Sequence, residues 1–216
     1  MRKIIYIFII SIGLGIKAQT NGFFTPTKGE IIFREITKIT SPKLFDESLK
    51  VSKQKFKESL RKSFLNNPEN KDREQQIDEM ITAKVDIMEF IYVEDSTQIY
   101  QYEFGQINQQ PFSENIILKI DEDRNNRKTI NGYDCFKVTY QYQENKESSD
   151  EDYLAFAGDI IYQREMWVTE KIRSLYHPVV FDKSILEKYY PLSILETQNS
   201  IKGFERRFKL DTITAN

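Results

Sequence analysis

The sequence predicts an α+β fold, in which a mainly antiparallel, curved β-sheet packs on one long amphipathic helix. Segments that alternate apolar and polar residues follow one another through the second half of the chain, and their short connections favour antiparallel pairing. One earlier segment, 42–65, repeats its apolar residues at helical spacing and must bury that stripe. The length of 216 residues fits a single domain.

Composition excludes several classes of protein. Lys and Arg number 31 and Asp and Glu number 33, so the formal net charge is −2. This balance lacks the basic surface of a general nucleic-acid binder, and we expect no nucleic-acid partner. A single Cys and a single His exclude a disulfide framework and any metal site that needs several thiolates or imidazoles. We therefore predict no cofactor and no metal.

Residues 1–18 have the three-part pattern of a secretory signal peptide. Two basic residues follow Met1, residues 4–16 are mostly apolar, and Ala18 offers a small residue before a polar run. The apolar stretch is shorter than the roughly 20 residues that cross a bilayer as a helix. The pattern therefore indicates a signal peptide, and the alternative interpretation is a buried N-terminal strand.

Cleavage after Ala18 would leave residues 19–216 as one α+β domain without a transmembrane segment. Loss of three basic residues changes the net charge from −2 to −5. We expect the mature protein to be periplasmic, associated with the cell envelope or released from the cell. Cys135 would then lack an intramolecular partner, and it is predicted to lie buried as a small apolar residue.

The mature chain begins with a strand and a helical segment of about 42–82. Residues 29–40 are rich in β-branched side chains and predict the strand. Ser41 and Pro42 suit the N-cap and the first position of a helix. The apolar stripe of this long helix consists of Leu44, Phe45, Leu49, Phe56, Leu60 and Phe64. A shorter helix follows the stop signal at Pro68, and its apolar face is Ile77, Met80 and Ile81.

Beyond the helical segment, apolar residues recur at every second position, as is typical of β-strands. The predicted strands are 86–93, 97–104, 115–121, 133–142, 160–169, 193–197 and 204–213. The first two are predicted to pair as a hairpin, and Asn131-Gly132 predicts another tight turn. The acidic stretch 143–152 is predicted to be a loop. A short helix over 184–190 is predicted to end before Pro191.

One short motif resembles the start of a calcium-binding loop, in which oxygen ligands stand at alternate positions. Asp121, Asp123 and Asn125 have that spacing. The twelfth position of such a loop requires a bidentate Glu, whereas Gly132 stands there. Residues 123–126 are therefore predicted to form a solvated turn and not a metal site.

Cys135 and His177 are the only pair that could form a cysteine–histidine couple for nucleophilic catalysis. Cys135 lies inside an apolar strand, where thiols are usually inert. His177 precedes Pro178 and is predicted to lie in a loop or at the edge of a strand. Since the sequence also lacks a Gly-rich phosphate loop and a nucleophile elbow, we predict no catalytic residue.

Aromatic residues are abundant, with 12 Tyr and 15 Phe. The tyrosines that lie on predicted strands are Tyr100, Tyr102, Tyr133, Tyr140, Tyr142 and Tyr162. One face of such strands could line a cavity for an apolar ligand or a sugar. The alternative is ordinary cross-strand packing, because aromatic residues are common in antiparallel sheets.

Three segments carry a resemblance to a known family. Residues 130–138, Ile-Asn-Gly-Tyr-Asp-Cys-Phe-Lys-Val, are similar to the I-x-G-Y-x-C-x-K-A strand of the GLPGLI family of exported bacterial proteins. Residues 167–172, Trp-Val-Thr-Glu-Lys-Ile, resemble its W-Y-T-x-x-I segment. Residues 190–196 stand where the naming motif belongs and retain Pro191, Ile194, Leu195 and Glu196 but neither glycine. The chain therefore resembles a divergent member of this family over about residues 128–213.

The resemblance implies a half-barrel-like antiparallel sheet wrapped on helices, similar in outline to periplasmic lipoprotein carriers. It implies no catalytic residue, because the family has no assigned activity. We expect an exported, non-catalytic binding or carrier module for a lipid or other apolar ligand, or for a protein partner in the envelope; the ligand-binding residues stay unassigned. One alternative is a structural or assembly component of the envelope with an exposed apolar patch. Another is a hydrolase with two carboxyl groups about 5–10 Å apart in a cleft.

Overall fold

A computed structural model describes residues 24–86, 97–104, 112–145 and 160–216. Within these ranges, seven strands form one sheet in the order β2-β1-β7-β6-β5-β4-β3, and all neighbours are antiparallel. The strands are β1 (Gly29–Ile39), β2 (Thr97–Phe104), β3 (Ile116–Ile130), β4 (Tyr133–Gln143), β5 (Tyr162–Thr169), β6 (Tyr190–Gln198) and β7 (Phe204–Ala215). The predicted α+β fold with a mainly antiparallel, curved sheet is confirmed.

Strands β3 to β7 follow one another in space as they do in sequence, and β1 joins the sheet beside β7. Asn131 and Gly132 connect β3 to β4 with φ values of 47° and 85°, the left-handed backbone that a two-residue hairpin turn requires. The turn predicted at 123–126 lies inside β3 instead. The pairing of β3 with β4 shifts register between Asp123 and Arg127, a bulge that an edge strand tolerates.

One face of the sheet, called the inner face, carries the main hydrophobic core. Its most buried strand residues are Ile31, Phe33, Val138, Met166, Ile194 and Phe208. Residues 170–189, called the covering segment, pack on this face through buried Val179, Val180 and Ile185. The covering segment contains the short helix α3 (Lys183–Leu186), which ends earlier than predicted because the chain enters β6 at Tyr190.

Two helices, α1 (Pro42–Asn66) and α2 (Glu74–Asp86), form a hairpin with a 3-10 helix, Pro68–Arg73, between them. The apolar residues that close this hairpin are Phe56, Leu60, Leu65, Ile77, Ile81 and Val85. Arg61 on α1 also forms ion pairs with Glu74 and Asp78 on α2. The helical hairpin therefore has a small core of its own.

The expected packing of the sheet on one long helix is not confirmed. Helix α1 meets the sheet at the turn between β6 and β7, where the rings of Phe45 and Phe204 lie 6.1 Å apart. The Ser52 hydroxyl donates a hydrogen bond to the carbonyl of Ser200 in the same turn. Part of the apolar stripe is buried against α2, and the covering segment packs on the inner face. A stripe predicts burial but does not select the surface that covers it.

Several predicted segments lie outside the described residues. They are the signal peptide at 1–18, most of the strand at 86–93 and most of the acidic loop at 143–152. Asp86 ends α2 and Gln143 ends β4.

Candidate functional site

A row of charged side chains crosses the inner face beside the turn between β6 and β7. Arg206 on β7 contacts Glu35 on β1 at 2.6 Å and Glu196 on β6 at 3.0 Å. Arg164 on β5 contacts the other oxygen of Glu196 at 2.6 Å and lies 3.6 Å from Asp182 of the covering segment. The three carboxylates and Arg164 are all 4–8% exposed. We call these five residues the ion-pair network.

Hydroxyl and amide donors complete the network. Each of its carboxylates accepts a hydrogen bond from a tyrosine at 2.7–3.0 Å: Tyr100 to Glu35, Tyr142 to Glu196 and Tyr140 to Asp182. Ser113 and Asn115 donate to the second oxygen of Asp182 at 2.6 and 2.9 Å. Buried carboxylates need such partners, because an unpaired one loses its hydration without compensation.

The network favours the charged forms of Glu196 and Arg164. Burial alone would raise the pKa of Glu196, but the positive charges of Arg164 and Arg206 outweigh it, so that the pKa lies below its ordinary value. Burial also opposes the charge of Arg164, yet Tyr140 and Glu196 keep the pKa of this guanidinium well above its ordinary value. A general acid needs a raised carboxyl pKa, so Glu196 does not suit that role at neutral pH. The arrangement instead ties four strands to the covering segment.

Cys135 and His177 do not form the couple that the sequence allowed. The thiol of Cys135 is fully buried and lies 3.5 Å from the carbonyl oxygen of Tyr133 on its own strand. Its neighbour Phe136 packs against Tyr189 of the covering segment, and successive strand residues point to opposite faces, so Cys135 extends from β4 on the side opposite to Phe136. Burial raises the pKa of this thiol to about 11, which keeps it protonated and unreactive at neutral pH.

His177 lies fully buried in the covering segment, under β1 and β6. Its Nδ1 accepts hydrogen bonds from the amides of Val179 and Val180, each at 3.0 Å, and its Nε2 lies 3.0 Å from the carbonyl oxygen of Pro191. Nδ1 is therefore the acceptor and Nε2 carries the proton of a neutral ring. Burial lowers the pKa of His177 to about 3. These hydrogen bonds hold a turn of the covering segment in place, as is typical of a structural histidine.

The residues of the calcium-like motif lie on β3. Asp121 pairs with Lys119 at 2.6 Å, and Asp123 accepts a hydrogen bond from the amide of Asn126 at 3.2 Å. Among the described residues, no group of three or more His, Cys, Asp or Glu side chains is arranged to hold a metal ion.

A cleft of about 640 Å³ opens between β2 and the covering segment. Three of its lining residues are themselves buried, Tyr102, Phe104 and Leu186, with exposed fractions of 3–8%. Tyr176 stacks on Tyr102 with ring centroids 5.7 Å apart and planes 7° from parallel. Leu175 adds an apolar wall that is 38% exposed. We call this site the β2 cleft.

Polar residues surround the apolar part of the β2 cleft. Thr25 and Thr27 line it together with Arg173 and Glu187. The backbone of this region is held by Phe24, whose amide donates to the carbonyl of Lys171 and whose carbonyl accepts from the amide of Arg173, both at 2.7 Å. The cleft therefore combines an aromatic interior with a charged and hydroxyl-rich rim, a composition that suits an amphipathic ligand.

A second depression, of about 670 Å³, runs along α1 beside the turn between β6 and β7. Leu44 and Val51 line it and are 47% and 56% exposed. Ser48, Ser52 and Lys55 occupy the same side of the helix. We call this depression the α1 groove.

Only part of these sites was predictable from the sequence. Tyr102 was among the alternating tyrosines and lines the β2 cleft, whereas Tyr140 and Tyr142 donate hydrogen bonds to the ion-pair network. The network itself was missed. Arg164 and Glu196 stand two residues from Met166 and Ile194, so the alternation of each strand could have revealed a charged side chain on an apolar face.

Among the described residues, none of the helices combines the length and the apolar character needed to cross a membrane. Neither a family model, nor a curated protein, nor a solved structure matches the chain.

Proposed function

We propose that this chain is a non-catalytic binding protein of the cell envelope, and that the β2 cleft holds the apolar part of a lipid or of another small amphipathic ligand. The single observation that carries this proposal is the cleft itself. Its volume of about 640 Å³ falls in the range of about 300–1,000 Å³ that is usual for small-molecule sites. Its interior is aromatic, and its rim offers a cation, an anion and three hydroxyls.

The placement of the protein in the envelope is supported by its sequence. Residues 1–18 have the pattern of a signal peptide, and residues 128–213 resemble the GLPGLI family. In this proposal the curved sheet is a half barrel like that of periplasmic lipoprotein carriers. The covering segment fills its inner face, so the ligand binds at the rim of the sheet and not inside it.

The polar groups of the interior support a role without catalysis. The carboxylates of the ion-pair network are bound to arginines and tyrosines, and none of them lines the β2 cleft. The Cys135 thiol is protonated and His177 accepts two backbone amides. These contacts stabilise the fold, and they leave the hydrolase alternative without a free acid–base pair among the network residues.

Fluorescence titration of the purified mature protein with the apolar dye N-phenyl-1-naphthylamine tests the proposal. Leu175→Asp places a charge on an exposed wall of the cleft, and Leu118→Asp on β3 is the matched control, because the two leucines are 38% and 44% exposed. Loss of one leucine contact of about 1.5 kcal/mol should weaken binding by about tenfold in the cleft variant. The control should bind as the wild type does.

Two results would contradict the proposal. One is the absence of saturable dye binding, and the other is equal weakening by both leucine variants. Native mass spectrometry of protein purified from its own envelope adds an independent measurement, in which a co-purified lipid that Leu175→Asp removes would support the same site.

A structural or assembly role is the second candidate, and the α1 groove favours it. Leu44 and Val51 leave apolar surface exposed on one side of α1, and such surface is typical of sites that contact another protein. Val51→Ser should release the protein from the insoluble envelope fraction while leaving dye binding intact. If Val51→Ser fractionates as the wild type does, this second candidate is wrong.

A further inference from the structure

We propose that His177, buried directly after the cleft-lining Tyr176, is a proton-sensitive latch of the β2 cleft, and that its protonation loosens residues 176–180 and releases the ligand. This inference rests on the proposed function, because it concerns regulation of the same cleft. It is carried by the position of the histidine between the core and a cleft-lining residue.

The imidazole holds a turn of the covering segment through one atom. Nδ1 of His177 accepts from the amides of Val179 and Val180, both at 3.0 Å. Protonation would place a hydrogen on Nδ1, so that this N–H and the two amide N–H groups would point at one another without an acceptor. The two amides would then lie buried without an acceptor, which costs about 1–3 kcal/mol each. The turn must therefore open when the ring is protonated.

The fastened turn adjoins the wall of the cleft. Tyr176 is the residue before the histidine, and its ring stacks on Tyr102 in the cleft. Its carbonyl accepts hydrogen bonds from Ser174 at 3.1 Å and from Tyr190 at 3.2 Å. The ring of His177 also packs 5.2 Å from the ring of Tyr190, so movement of the imidazole disturbs a residue whose hydroxyl supports the Tyr176 carbonyl.

The charged groups around the histidine do not favour its protonation. Arg164 on β5 acts against it through its positive charge. Asp182, five residues further along the same segment, lies 3.6 Å from Arg164 and is engaged with that arginine. β1 contributes the ring of Phe33 at 4.8 Å, and β6 contributes Tyr190, whose pKa burial raises well above its ordinary value. Neither ring offers a negative charge between pH 5 and pH 8.

His177 takes up its proton in the open form of the turn. In the closed form burial lowers the pKa of His177 to about 3, and the ring stays neutral down to that pH. In the open form water reaches the ring, and the pKa returns to about 6.5. Protonation then traps the open form, so its population should rise by about 30-fold between pH 8 and pH 5.

Hydrogen exchange of the mature protein without ligand measures how often the turn held by His177 opens. The amides of Val179 and Val180 should open about 30-fold more often at pH 5 than at pH 8, after division by the intrinsic exchange rates. The amide of Val138, in the middle of β4 and paired with Met166, is the internal control and should keep its opening constant. Equal opening of Val179 and Val180 at both pH values would overturn the latch.

A second arm couples the latch to the cleft through the dissociation rate of N-phenyl-1-naphthylamine. This rate should rise between pH 8 and pH 5 in the wild type and stay constant in His177→Gln. A pH-independent rate in the wild type would overturn the regulation while leaving the binding site standing. Absence of dye binding at pH 8 would contradict the proposed function, and hydrogen exchange would still decide whether the latch exists.

Discussion

Gly203 lies so close to Ser41 that a Cβ atom on the glycine would stand 2.4 Å from the carbonyl oxygen of the serine. This contact brings the start of α1 against the turn between β6 and β7. The glycine also has a φ of 72°, which a side chain disfavours. Gly203→Ala should therefore lower the free energy of unfolding by about 2–4 kcal/mol, measured by urea denaturation.

Gly132→Ala separates the cost of the positive φ from the cost of the close approach to Ser41. Gly132 has a φ of 85°, but it lies exposed at the tip of the β3–β4 hairpin. Its substitution should cost only the backbone term of about 1–2 kcal/mol. If the two alanine variants lose the same stability, the close approach between α1 and the β6–β7 turn contributes nothing.

Loss of an arginine from the ion-pair network should lower the free energy of unfolding. Arg164→Met removes the arginine between Glu196 and Asp182 and leaves both carboxylates buried without it. Breaking a buried pair in this way should cost about 3–5 kcal/mol in the free energy of unfolding. Lys137→Met is the matched control, since the Lys137–Glu165 pair is 29% and 35% exposed and should contribute less than about 1 kcal/mol. Equal losses in the two variants would contradict the structural role of the network.

The alternation of apolar and polar residues predicted the strands but not which strands pair with one another. Arg164 faces Glu196 only because β5 pairs with β6, and Arg206 reaches Glu35 only because β7 pairs with β1. The second pairing joins residues that are 171 positions apart, and nothing in local periodicity selects it. The sequence therefore predicts a sheet with charged positions on its apolar face, whereas the network needs the strand order.

The residues of the β2 cleft could likewise be predicted only in part from the sequence. Tyr102 and Phe104 alternate on a predicted strand, and their burial was foreseeable from that pattern. Tyr176 belongs to the part of the covering segment before α3, which has irregular structure and no period. Its stacking on Tyr102 follows from the path of that segment over the inner face, which is a property of the tertiary fold.

Burial of Cys135 predicts an inert thiol. Burial raises its pKa to about 11, and its exposed fraction is 0%. A thiol-reactive disulfide reagent at pH 8 should leave the folded protein unmodified and should react fully after unfolding in guanidinium chloride. Rapid modification of the folded protein would contradict the packing of β4.

His177 should make the stability of the protein depend on pH between pH 7.5 and pH 5. Its pKa is about 3 when folded and about 6.5 when unfolded, so between these values the unfolded chain binds the extra proton. Stability is therefore complete above pH 6.5 and falls as the pH decreases, with a slope that approaches about 1.4 kcal/mol per pH unit. Urea denaturation of untagged protein between pH 7.5 and pH 5 measures this slope.

The chain has a single histidine, which makes the attribution of that slope direct. His177→Gln should be less stable than the wild type at pH 7.5, because its amide does not reproduce the ring packing against Phe33 and Tyr190. Its free energy of unfolding should nevertheless stay constant down to pH 5, because it lacks the one side chain whose ordinary pKa lies in this range. A wild-type slope that persists in the variant would mean that another group takes up the proton, and the buried, neutral state of His177 would then be wrong.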